Sequence, residues 1–353
     1  MKVLVAMSGG VDSAVSAYLV KQEHDAIGVT MKLHNEKDAA IYGENSCCTE
    51  KDIEDAKSVC DLVGIDHEVH NFSADFKSNV IDDFIYCYKN GLTPNPCIVC
   101  NRKIKFESLL KMALDRDFDA IATGHYARIE KRQDGRYLLK KAIDISKDQS
   151  YVLYSLTQHQ LARTLFPLGE MTKDDARKLA EGIGFVNARK HDSQDICFIP
   201  DGDYVSFIQR TTGETFKRGN FIDVSGNILG THDGIIKYTI GQRKGLGLAL
   251  GEPMYVKEKD LERNTVTLAR NSELFGTTLT AKNINLISCE NIYTPIRIKA
   301  KIRYNQKEQD ATVQQIDENH IKVVFDEPQR AITRGQSVVL YDGDIVVGGG
   351  IIE

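Results

Sequence analysis

The sequence predicts an α/β fold with an open parallel sheet, followed by a small central β-rich domain and a C-terminal β-barrel. Through the first half of the 353 residues, short apolar runs alternate with helical patterns, as the strands and helices of a parallel sheet do. After about residue 200, Gly, Thr, Asp and Asn become frequent and helical periodicity fades. From about residue 279 short alternating strands dominate, which favours a barrel. We therefore expect domains at residues 1–200, 201–275 and 276–353.

The elements of the first part follow one another in the order that a parallel sheet needs. Lys2–Ala6 is a short apolar run typical of a buried strand, and Val11–Val20 places apolar residues at helical spacing. Thr49, with Asp52 three positions later, predicts a capping box at the start of a helix. The elements expected after the first helix are strand 26–33, helix 49–63, strand 67–72, helix 74–89, helix 104–114 and strand 119–123.

The second half of the chain predicts hairpins and short strands. A hairpin is expected at 221–230, turning at Gly226 and Asn227, and Asp342-Gly343 is typical of a two-residue turn between the last two strands. The remaining strands are expected at 254–256, 264–269, 296–304, 310–316, 320–325, 337–341 and 345–351.

Composition narrows the class of protein. The 45 Lys and Arg against 50 Asp and Glu give a net charge of −5, so a nucleic-acid partner would have to bind a local basic patch. The start MKVLVAM is too short for a signal peptide, and no run of 18 apolar residues occurs, so we expect a cytoplasmic protein without a membrane span. In that compartment, the eight cysteines are more typical of metal binding or thiol chemistry than of disulfides.

The string S-G-G-V-D-S at 8–13 is the first candidate site, because it follows a strand and begins a helix. Gly9 and Gly10 allow backbone amides to approach a phosphate, and the helix N-terminus adds its dipole. The two serine hydroxyls can donate hydrogen bonds, and Asp12 could hold Mg²⁺. The loop lacks the Gly-Lys-Ser/Thr ending that reaches a γ-phosphate. An ordinary glycine-rich turn is the alternative, which the full string disfavours.

Two cysteine segments form the second candidate site. Cys97 and Cys100 lie in N-P-C-I-V-C-N at the start of a predicted helix, where the dipole stabilises a thiolate. Arg102, Lys103 and Lys105 add positive potential directly after them. Cys197 lies in D-S-Q-D-I-C-F-I at 192–199, where on its own it could be a core residue.

At this point the sequence shows a family resemblance. The 8–13 loop resembles the pyrophosphate loop of the N-type ATP pyrophosphatases, which cleave ATP between the α and β phosphates and adenylate an oxygen. With the cysteine segments, the chain resembles the bacterial tRNA-specific 2-thiouridylases nearly end to end. The other matching motifs are G-H-Y at 124–126, K-D-Q-S-Y at 147–151, L-F-P-L-G-E at 165–170, T-I-G-Q-R-K-G-L-G at 239–247, R-Y at 303–304 and G-Q-S-V-V at 335–339.

The resemblance implies an N-type ATP pyrophosphatase sheet, of the adenine nucleotide α-hydrolase-like kind, and individual roles. Cys100 would be the nucleophile, and Cys197 would carry a persulfide. The ATP site would consist of Ala6, Met7, Ser8, Gly9, Gly10, Val11, Asp12, Ser13, Met31 and Gly124. The tRNA contacts would be Asn95, Pro96 and Cys97 at the target base, together with His125, Lys147, Asp148, Gln149, Arg303, Tyr304 and Gln336.

The activity implied by the resemblance is ATP-dependent 2-thiolation of the wobble uridine of tRNA. The 2-oxygen would be adenylated and then replaced by persulfide sulfur, giving 2-thiouridine, AMP and pyrophosphate. ATP and Mg²⁺ would be required. The tRNAs would be those for Lys, Glu and Gln, and a sulfur-relay protein or a cysteine desulfurase would donate the persulfide.

One position departs from the family pattern. Many members have Asp where this chain has Cys97, which puts an acid–base role at this position in doubt. Three thiolates, Cys97, Cys100 and Cys197, could instead ligate a 4Fe–4S cluster with one iron open to sulfide. Cys47 and Cys48 have no assigned role. Two rival functions stay open, another adenylating ligase or amidotransferase, and a non-catalytic tRNA-binding or sulfur-carrier module.

Overall fold

The computed structural model describes residues 1–34, 49–190 and 196–353. Cys47, Cys48 and the first residues of the motif around Cys197 lie outside the described residues. Within the described ranges, no helix is both long enough and apolar enough to span a membrane.

Most of the described helices lie in the first two thirds of the chain. They are α1 (Val11–Glu23), α2 (Glu50–Val63), α3 (Ser73–Phe76), α4 (Asp82–Lys89), α5 (Pro96–Cys100), α6 (Leu109–Asp115), α7 (Ser150–Leu153), α8 (Gln158–Leu161), α9 (Lys173–Ile183) and α10 (Tyr204–Thr212). Two π-helical segments, Lys77–Ile81 and Asn101–Ser108, join α3 to α4 and α5 to α6. Short 3-10 turns occur at Ile235–Lys237 and Asn271–Leu274.

The strands form three sheets. They are β1 (Lys2–Ala6), β2 (Asp25–Lys32), β3 (His67–Asn71), β4 (Ala120–Ala122), β5 (Ala127–Lys131), β6 (Tyr137–Lys141), β7 (Thr164–Leu165), β8 (Gly219–Ile222), β9 (Ile228–His232), β10 (Tyr255–Asp260), β11 (Thr265–Ala269), β12 (Phe275–Leu286), β13 (Ile296–Lys301), β14 (Gln309–Gln315), β15 (His320–Arg330), β16 (Ser337–Asp342) and β17 (Ile345–Ile352).

The first sheet is parallel and has the order β3-β2-β1-β4-β7. Successive residues of β1 enter different cores, since Leu4 packs with β2 and the helices after β3, whereas Val3 and Val5 pack with α1 and α9. Both faces of the sheet are therefore covered by other elements. Because every side chain of the strand is buried on one face or the other, the sequence of β1 is a continuous apolar run. The strands β2 and β3 lie on one side of β1, and the strands β4 and β7 lie on the other side. Because the strand order reverses between β1 and β4, a crevice forms at the carboxyl ends of these two strands.

The helix borders agree with the local sequence patterns. The predicted capping box of α2 is confirmed, because Thr49 Oγ1 accepts from the Asp52 amide at 3.2 Å and the Asp52 carboxylate accepts from the Thr49 amide at 2.9 Å. Gly64, with φ 74°, ends this helix in the left-handed conformation.

One continuous helix runs from Pro96 to Asp115, and its middle part is π-helical. Asn95 caps its start by accepting from the Ile98 amide at 3.4 Å. A π segment is rare in proteins and is found frequently at functional sites. Here it follows Cys100 directly, so it sets the direction of the side chains that come after this cysteine.

The second sheet has the order β10-β11-β8-β9, and the predicted hairpin between β8 and β9 is confirmed. β12, β15, β14, β13, β16 and β17 form a barrel that closes through pairing of β12 with β17. The predicted fold class is therefore confirmed. The hairpin expected between β16 and β17 is also present, although its two turn residues are Gly343 and Asp344, one position later than expected.

The hairpin of β5 and β6 was not predicted, and it joins the first part of the chain to the barrel. Leu139 and Lys140 of β6 pair with Val346 and Ile345 of β17. The stretch is rich in Arg and Lys, so apolar and polar residues alternate only weakly along it. Its partner strand β17 is also distant in sequence. The barrel sheet thereby extends through β6 to β5.

Candidate active site

The 8–13 loop lies in the crevice at the end of β1 and packs against the start of α2. Gly9 has φ 70°, and a Cβ atom at this position would lie 2.4 Å from the backbone oxygen of Asp52. Any side chain here would force the loop away from α2, so the position requires glycine. Ser13 Oγ donates to the Gly10 oxygen at 2.9 Å and accepts from the Ser8 amide at 3.2 Å, which holds the turn closed.

A distant segment of the chain fixes the oxygen of Gly9. Asn187 Nδ2 donates to it at 3.1 Å, and Lys190 Nζ donates to it at 3.0 Å. Lys190 also contacts Asp52 at 2.6 Å and Asp55 at 2.8 Å. Burial lowers the pKa of Lys190, but its hydrogen bonds to the two carboxylates outweigh burial and raise the pKa overall.

Asp12 is held by a buried lysine and a tyrosine. Lys173 Nζ lies 2.8 Å from both carboxylate oxygens, and the Tyr126 hydroxyl donates to Oδ1 at 2.9 Å. The Lys173 side chain is 5% exposed. The expected Mg²⁺ ligand is therefore paired with an ammonium group, which would compete with a metal ion for its oxygens.

The end of β4 closes the crevice against the loop. A Cβ atom on Gly124 would lie 2.9 Å from the backbone carbon of Asp12 and 3.0 Å from the amide nitrogen of Ser13, so only glycine permits this approach. Met31 lies at the carboxyl end of β2, and its side chain is buried in the core.

His125 is part of an aromatic cluster. Its ring is 7% exposed, and its Nδ1 lies 2.7 Å from Thr123 Oγ1. Its centroid lies 5.7 Å from that of Phe106 and 5.9 Å from that of Phe166. Burial, with the charge of Lys105, holds the pKa of His125 well below its ordinary value, so the ring is neutral at physiological pH. A neutral, buried ring offers little surface to tRNA.

The cysteines lie on the same side of the crevice as this cluster. Cys97 is exposed and Cys100 is buried, and Cys197 packs against the core that contains Cys100. Although Cys97 has exposed surface, protein surrounds its thiol on most sides. Burial and then the neighbouring Cys197 raise the pKa of Cys97, and Lys105 opposes them. The net direction of this pKa shift is opposite to the one that the helix start alone would give.

The iron–sulfur expectation is not supported. In residues 1–34, 49–190 and 196–353, no group of three His, Cys, Asp or Glu side chains is arranged to hold a metal ion. Cys97, Cys100 and Cys197 therefore do not form a cluster site in the described structure.

The barrel reaches the segment before Asn95. Gln336 Nε2 donates to the Thr93 oxygen at 2.9 Å and to the Pro94 oxygen at 3.2 Å, and the Thr93 amide donates to the Arg334 oxygen at 2.9 Å. These bonds tie the barrel to the residues immediately before the cysteine helix.

Tyr304 is the other barrel residue at this place. It is 38% exposed, its hydroxyl donates to the Asp148 oxygen at 3.2 Å, and burial, Asp148 and then Cys97 raise its pKa. The barrel thus brings an exposed aromatic ring to the cysteines. Arg303 instead donates to the backbone oxygen of Ala331, which directly follows β15.

The side chains of the K-D-Q motif at 147–149 mostly make contacts within the protein. The Asp148 carboxylate accepts from the Ala142 amide at 3.1 Å and from Ser150 Oγ at 2.7 Å. Gln149 Oε1 accepts from the Tyr126 amide at 2.9 Å, and Lys147 is half-buried. The Asp148 and Gln149 side chains are therefore engaged by the protein itself.

Sequence reasoning missed the residues that reach the loop from elsewhere. Lys173 is the first residue of α9, where the sequence predicts an exposed side chain. Asn187 and Lys190 follow that helix in an irregular stretch. No local pattern distinguishes them. Asp55 could have been suspected, because it lies near Asp52 at the start of an amphipathic helix.

Family models match three consecutive parts of the chain. The model described as tRNA methyl transferase HUP domain matches residues 1–201. The models described as tRNA methyl transferase PRC-barrel domain and aminomethyltransferase beta-barrel domain match residues 205–270 and 276–352.

Full-length relatives are also similar to the chain. The tRNA-specific 2-thiouridylase MnmA 1 of Thermoanaerobacter sp. (strain X514) is 54% identical over 355 residues, covering 100% of this chain and 98% of that protein. The tRNA-specific 2-thiouridylase MnmA of Clostridioides difficile (strain 630) is 51% identical over 354 residues, with the same two coverages. With half of all positions identical from end to end, the chain belongs to the tRNA-specific 2-thiouridylase family.

Proposed function

We propose that the chain is a transferase that uses ATP to replace the 2-oxygen of the wobble uridine of tRNA with sulfur. The observation that carries this proposal is a chain of contacts that connects the 8–13 loop to the cysteine helix. Gly124 abuts Asp12 of the loop, and the next residue, His125, packs on Phe106 of the helix that begins beside Cys97. The names of the full-length relatives support the same activity.

Adenylation comes first because oxide is a poor leaving group. The 2-oxygen of the uridine attacks the α-phosphorus of ATP, and the bond to pyrophosphate breaks. The amides of Gly9 and Gly10 and the N-terminus of α1 are suited to hold the departing pyrophosphate. Mg²⁺ would neutralise phosphate charge when bound, and Asp12 would hold it in exchange for Lys173.

Sulfur transfer follows at the cysteines. The outer sulfur of a persulfide on Cys197 forms a bond to C2 of the base, the C2–O2 bond breaks, and AMP leaves with the bonding electrons. The Cys100 thiolate then attacks the Cys197 sulfur and releases the thiolated base. A Cys100–Cys197 disulfide remains, and an external reductant returns two electrons to it. The packing of Cys197 on the core around Cys100 supports this sequence.

The finer assignments belong to the same proposal. The persulfide comes from a sulfur-relay protein or a cysteine desulfurase, the tRNAs are those for Lys, Glu and Gln, and the reaction takes place in the cytoplasm. The domains are residues 1–200, 201–275 and 276–353. Adenine and ribose lie near Met31 and Gly124, and the target base lies at Asn95, Pro96 and Cys97. The other proposed tRNA contacts are His125, Lys147, Asp148, Gln149, Arg303, Tyr304 and Gln336.

Mass spectrometry of nucleosides tests the proposal. Unmodified tRNA is incubated with the protein, ATP, Mg²⁺ and a persulfide donor, and 2-thiouridine is measured. We expect product with the unaltered protein and none with Cys100→Ser or Cys197→Ser. Both variants should still release pyrophosphate in the presence of tRNA, since the loop is intact. Cys289→Ser, which changes a half-buried thiol of the barrel, is the matched control and should remain active.

The outcomes separate the rival functions. Turnover that survives Cys100→Ser would favour an adenylating ligase, because such an enzyme needs no cysteine pair. Absence of tRNA-dependent pyrophosphate release from the unaltered protein would favour a non-catalytic binding or carrier module.

A further inference from the structure

Two half-buried arginines of the barrel, Arg303 and Arg330, meet at the backbone of Ala331. Arg303 Nη2 donates to the Ala331 oxygen at 2.5 Å. Arg330 is the last residue of β15, directly before Ala331, and its Nη2 donates to the Gly241 oxygen at 3.2 Å. A Cβ atom on Gly241 would lie 3.0 Å from the Ala331 Cβ and 3.3 Å from Arg330 Nη1. Both guanidinium groups therefore lie close to the same residue.

The protein does not neutralise these two guanidinium groups. The oxygen atoms that accept their hydrogen bonds are all uncharged, namely the backbone oxygens of Gly241 and Ala331, Asn271 Oδ1 and Thr333 Oγ1. Within the described part of the chain, neither group forms an ion pair with a carboxylate. Burial and the positive charge of Arg330 lower the pKa of Arg303. Holding two like charges together costs free energy, and a bound anion would offset that cost.

Several guanidinium nitrogen atoms remain accessible to a ligand. The hydrogen bonds within the protein use only Nη2 of Arg303, and Nε and Nη2 of Arg330. The other nitrogen atoms are not among the buried unpartnered atoms of the described residues, so solvent reaches them. A guanidinium group is a planar set of donors that matches the spacing of phosphate oxygens. The pair is therefore suited to bind a phosphate group.

The backbone of Ala331 is strained at this place. Its φ of 53° lies in the left-handed region, which residues with a Cβ atom seldom adopt. Such a conformation costs free energy, and it occurs often at binding sites, where the surrounding structure enforces it. The hydrogen bond from Arg303 and the close approach of Gly241 hold Ala331 in this conformation. The strained residue and the two charges without an anion point to the same site.

On one side, the arginine pair adjoins the segment that leads into the cysteine helix. Thr333 Oγ1 lies 3.5 Å from Arg303 Nη2. The oxygen of the next residue, Arg334, accepts from the Thr93 amide at 2.9 Å. Thr93 precedes Asn95 by two positions, so the pair lies only a few residues from the proposed place of the target base.

On the other side, the pair contacts a basic loop that precedes β10. Arg330 bonds to Gly241 at the start of this loop, and its guanidinium carbon lies 5.0 Å from the centroid of the Tyr255 ring at the end. The loop carries Arg243 and Lys244, which are both exposed. The pair thus connects a basic loop with the start of the cysteine helix, an arrangement that suits a polyanion despite the net charge of −5.

We propose that Arg330, together with Arg303, binds one backbone phosphate of the tRNA close to the target nucleotide. This inference rests on the proposed function, in which the target base lies at Asn95, Pro96 and Cys97. A backbone phosphate has two free oxygens, so each guanidinium group donates to one of them. Contacts of this kind position an RNA and do not read its sequence.

Binding of unmodified tRNA to the full-length protein, measured by fluorescence anisotropy without ATP over a series of salt concentrations, tests this assignment. Arg330→Gln removes the charge and keeps a hydrogen-bond donor, and it should weaken tRNA binding about tenfold, the effect of one lost hydrogen bond to a charged group. Its ATP affinity, measured by titration calorimetry, should be unchanged. Arg297→Gln is the matched control, because it removes the same charge from a barrel arginine that is paired with Asp326, and it should leave tRNA binding nearly unchanged.

The double variant Arg303→Gln/Arg330→Gln tests whether the two arginines share one phosphate. The logarithm of the tRNA affinity falls with the logarithm of the salt concentration, and this slope should become shallower by about 0.7 to 0.9, the value for one phosphate contact. The second substitution should cost less affinity than the first, since the site is already lost. Fully additive losses and a slope change twice as large would overturn the shared site.

A tRNA affinity of Arg330→Gln equal to that of Arg297→Gln would show that Arg330 only supports the barrel. A loss of ATP affinity with tRNA binding unchanged would also refute the assignment, because the pair would then bind a nucleotide phosphate. Failure of the proposed function is distinguishable, since it would show as absent thiolation of tRNA by the unaltered protein, whatever the tRNA affinities of the variants.

Discussion

The ammonium group of Lys173 lies 2.8 Å from both carboxylate oxygens of Asp12, although 161 positions separate the two residues. The loop has no lysine of the Walker type in its own sequence, but it receives one from the start of α9. The pair neutralises the acidic residue of the loop and fixes α9 against α1.

Replacing Lys173 with Met should therefore destabilise the protein. Asp12 would keep its charge in a partly buried place, and we expect a loss of about 2 kcal/mol in the free energy of unfolding by urea. The double variant Asp12→Asn/Lys173→Met should regain most of this stability but no pyrophosphate release. Additive losses of stability in the two single variants would show that the pair contributes nothing as a unit.

Cys97 should be a slow nucleophile at neutral pH. Burial and the neighbouring Cys197 raise the pKa of its thiol above the ordinary value of 9.0, so the reactive thiolate is scarce until the pH exceeds that value. Alkylation by iodoacetamide, followed at Cys97 by peptide mass spectrometry across a pH series, measures this. Cys197→Ser should lower the midpoint of the profile, and Lys105→Met should raise it. A midpoint below pH 9 in the unaltered protein would contradict the assignment.

The bonds from Gln336 to Thr93 and Pro94 predict that the barrel holds the cysteine helix in place. Gln336→Ala should leave residues 93–95 more mobile and speed the alkylation of Cys97 in the absence of tRNA. Gln314→Ala, an exposed change on β14, is the matched control and should have no effect. If Gln336 served only as a tRNA contact, alkylation without tRNA would proceed at the same rate in both variants.

Features that depend on sequence neighbours could be predicted. The capping box of Thr49 and Asp52, the β8–β9 hairpin and the β16–β17 hairpin each need only a few consecutive residues, and each is confirmed. The alternation of strands and helices likewise predicted the parallel sheet, because it reflects burial on both faces.

Features that depend on contacts between distant parts of the chain could not be predicted from the sequence. Lys173 and Lys190 contact the loop across more than 150 positions of sequence, and nothing near them in sequence indicates their partners. The position of the β5–β6 hairpin depends on the pairing of β6 with β17. The π segment changes the direction in which the Lys105 side chain leaves the helix. Sequence periodicity assumes a regular helix, so it could not indicate that Lys105 and Cys97 act on each other.

The central sheet contains a buried lysine that should destabilise the protein at neutral pH. Lys259 lies on β10, and its Nζ is buried without a hydrogen-bond partner in the described structure. Burial lowers its pKa from 10.5 to about 8. Below about pH 8 the amine is charged in both the folded and unfolded chain, and the folded state carries the full cost of the buried charge.

Lys259→Met should therefore raise the midpoint of urea unfolding at neutral pH, because the buried charge is removed. In the unaltered protein, between about pH 8 and 10.5, the unfolded chain binds a proton at Lys259 that the folded chain does not bind. The contribution of Lys259 to the free energy of unfolding therefore increases with pH across this window. That contribution should be missing in Lys259→Met and present in Lys257→Met, which removes an exposed lysine from the same strand. Identical unfolding profiles for the two variants would show that the amine of Lys259 reaches solvent.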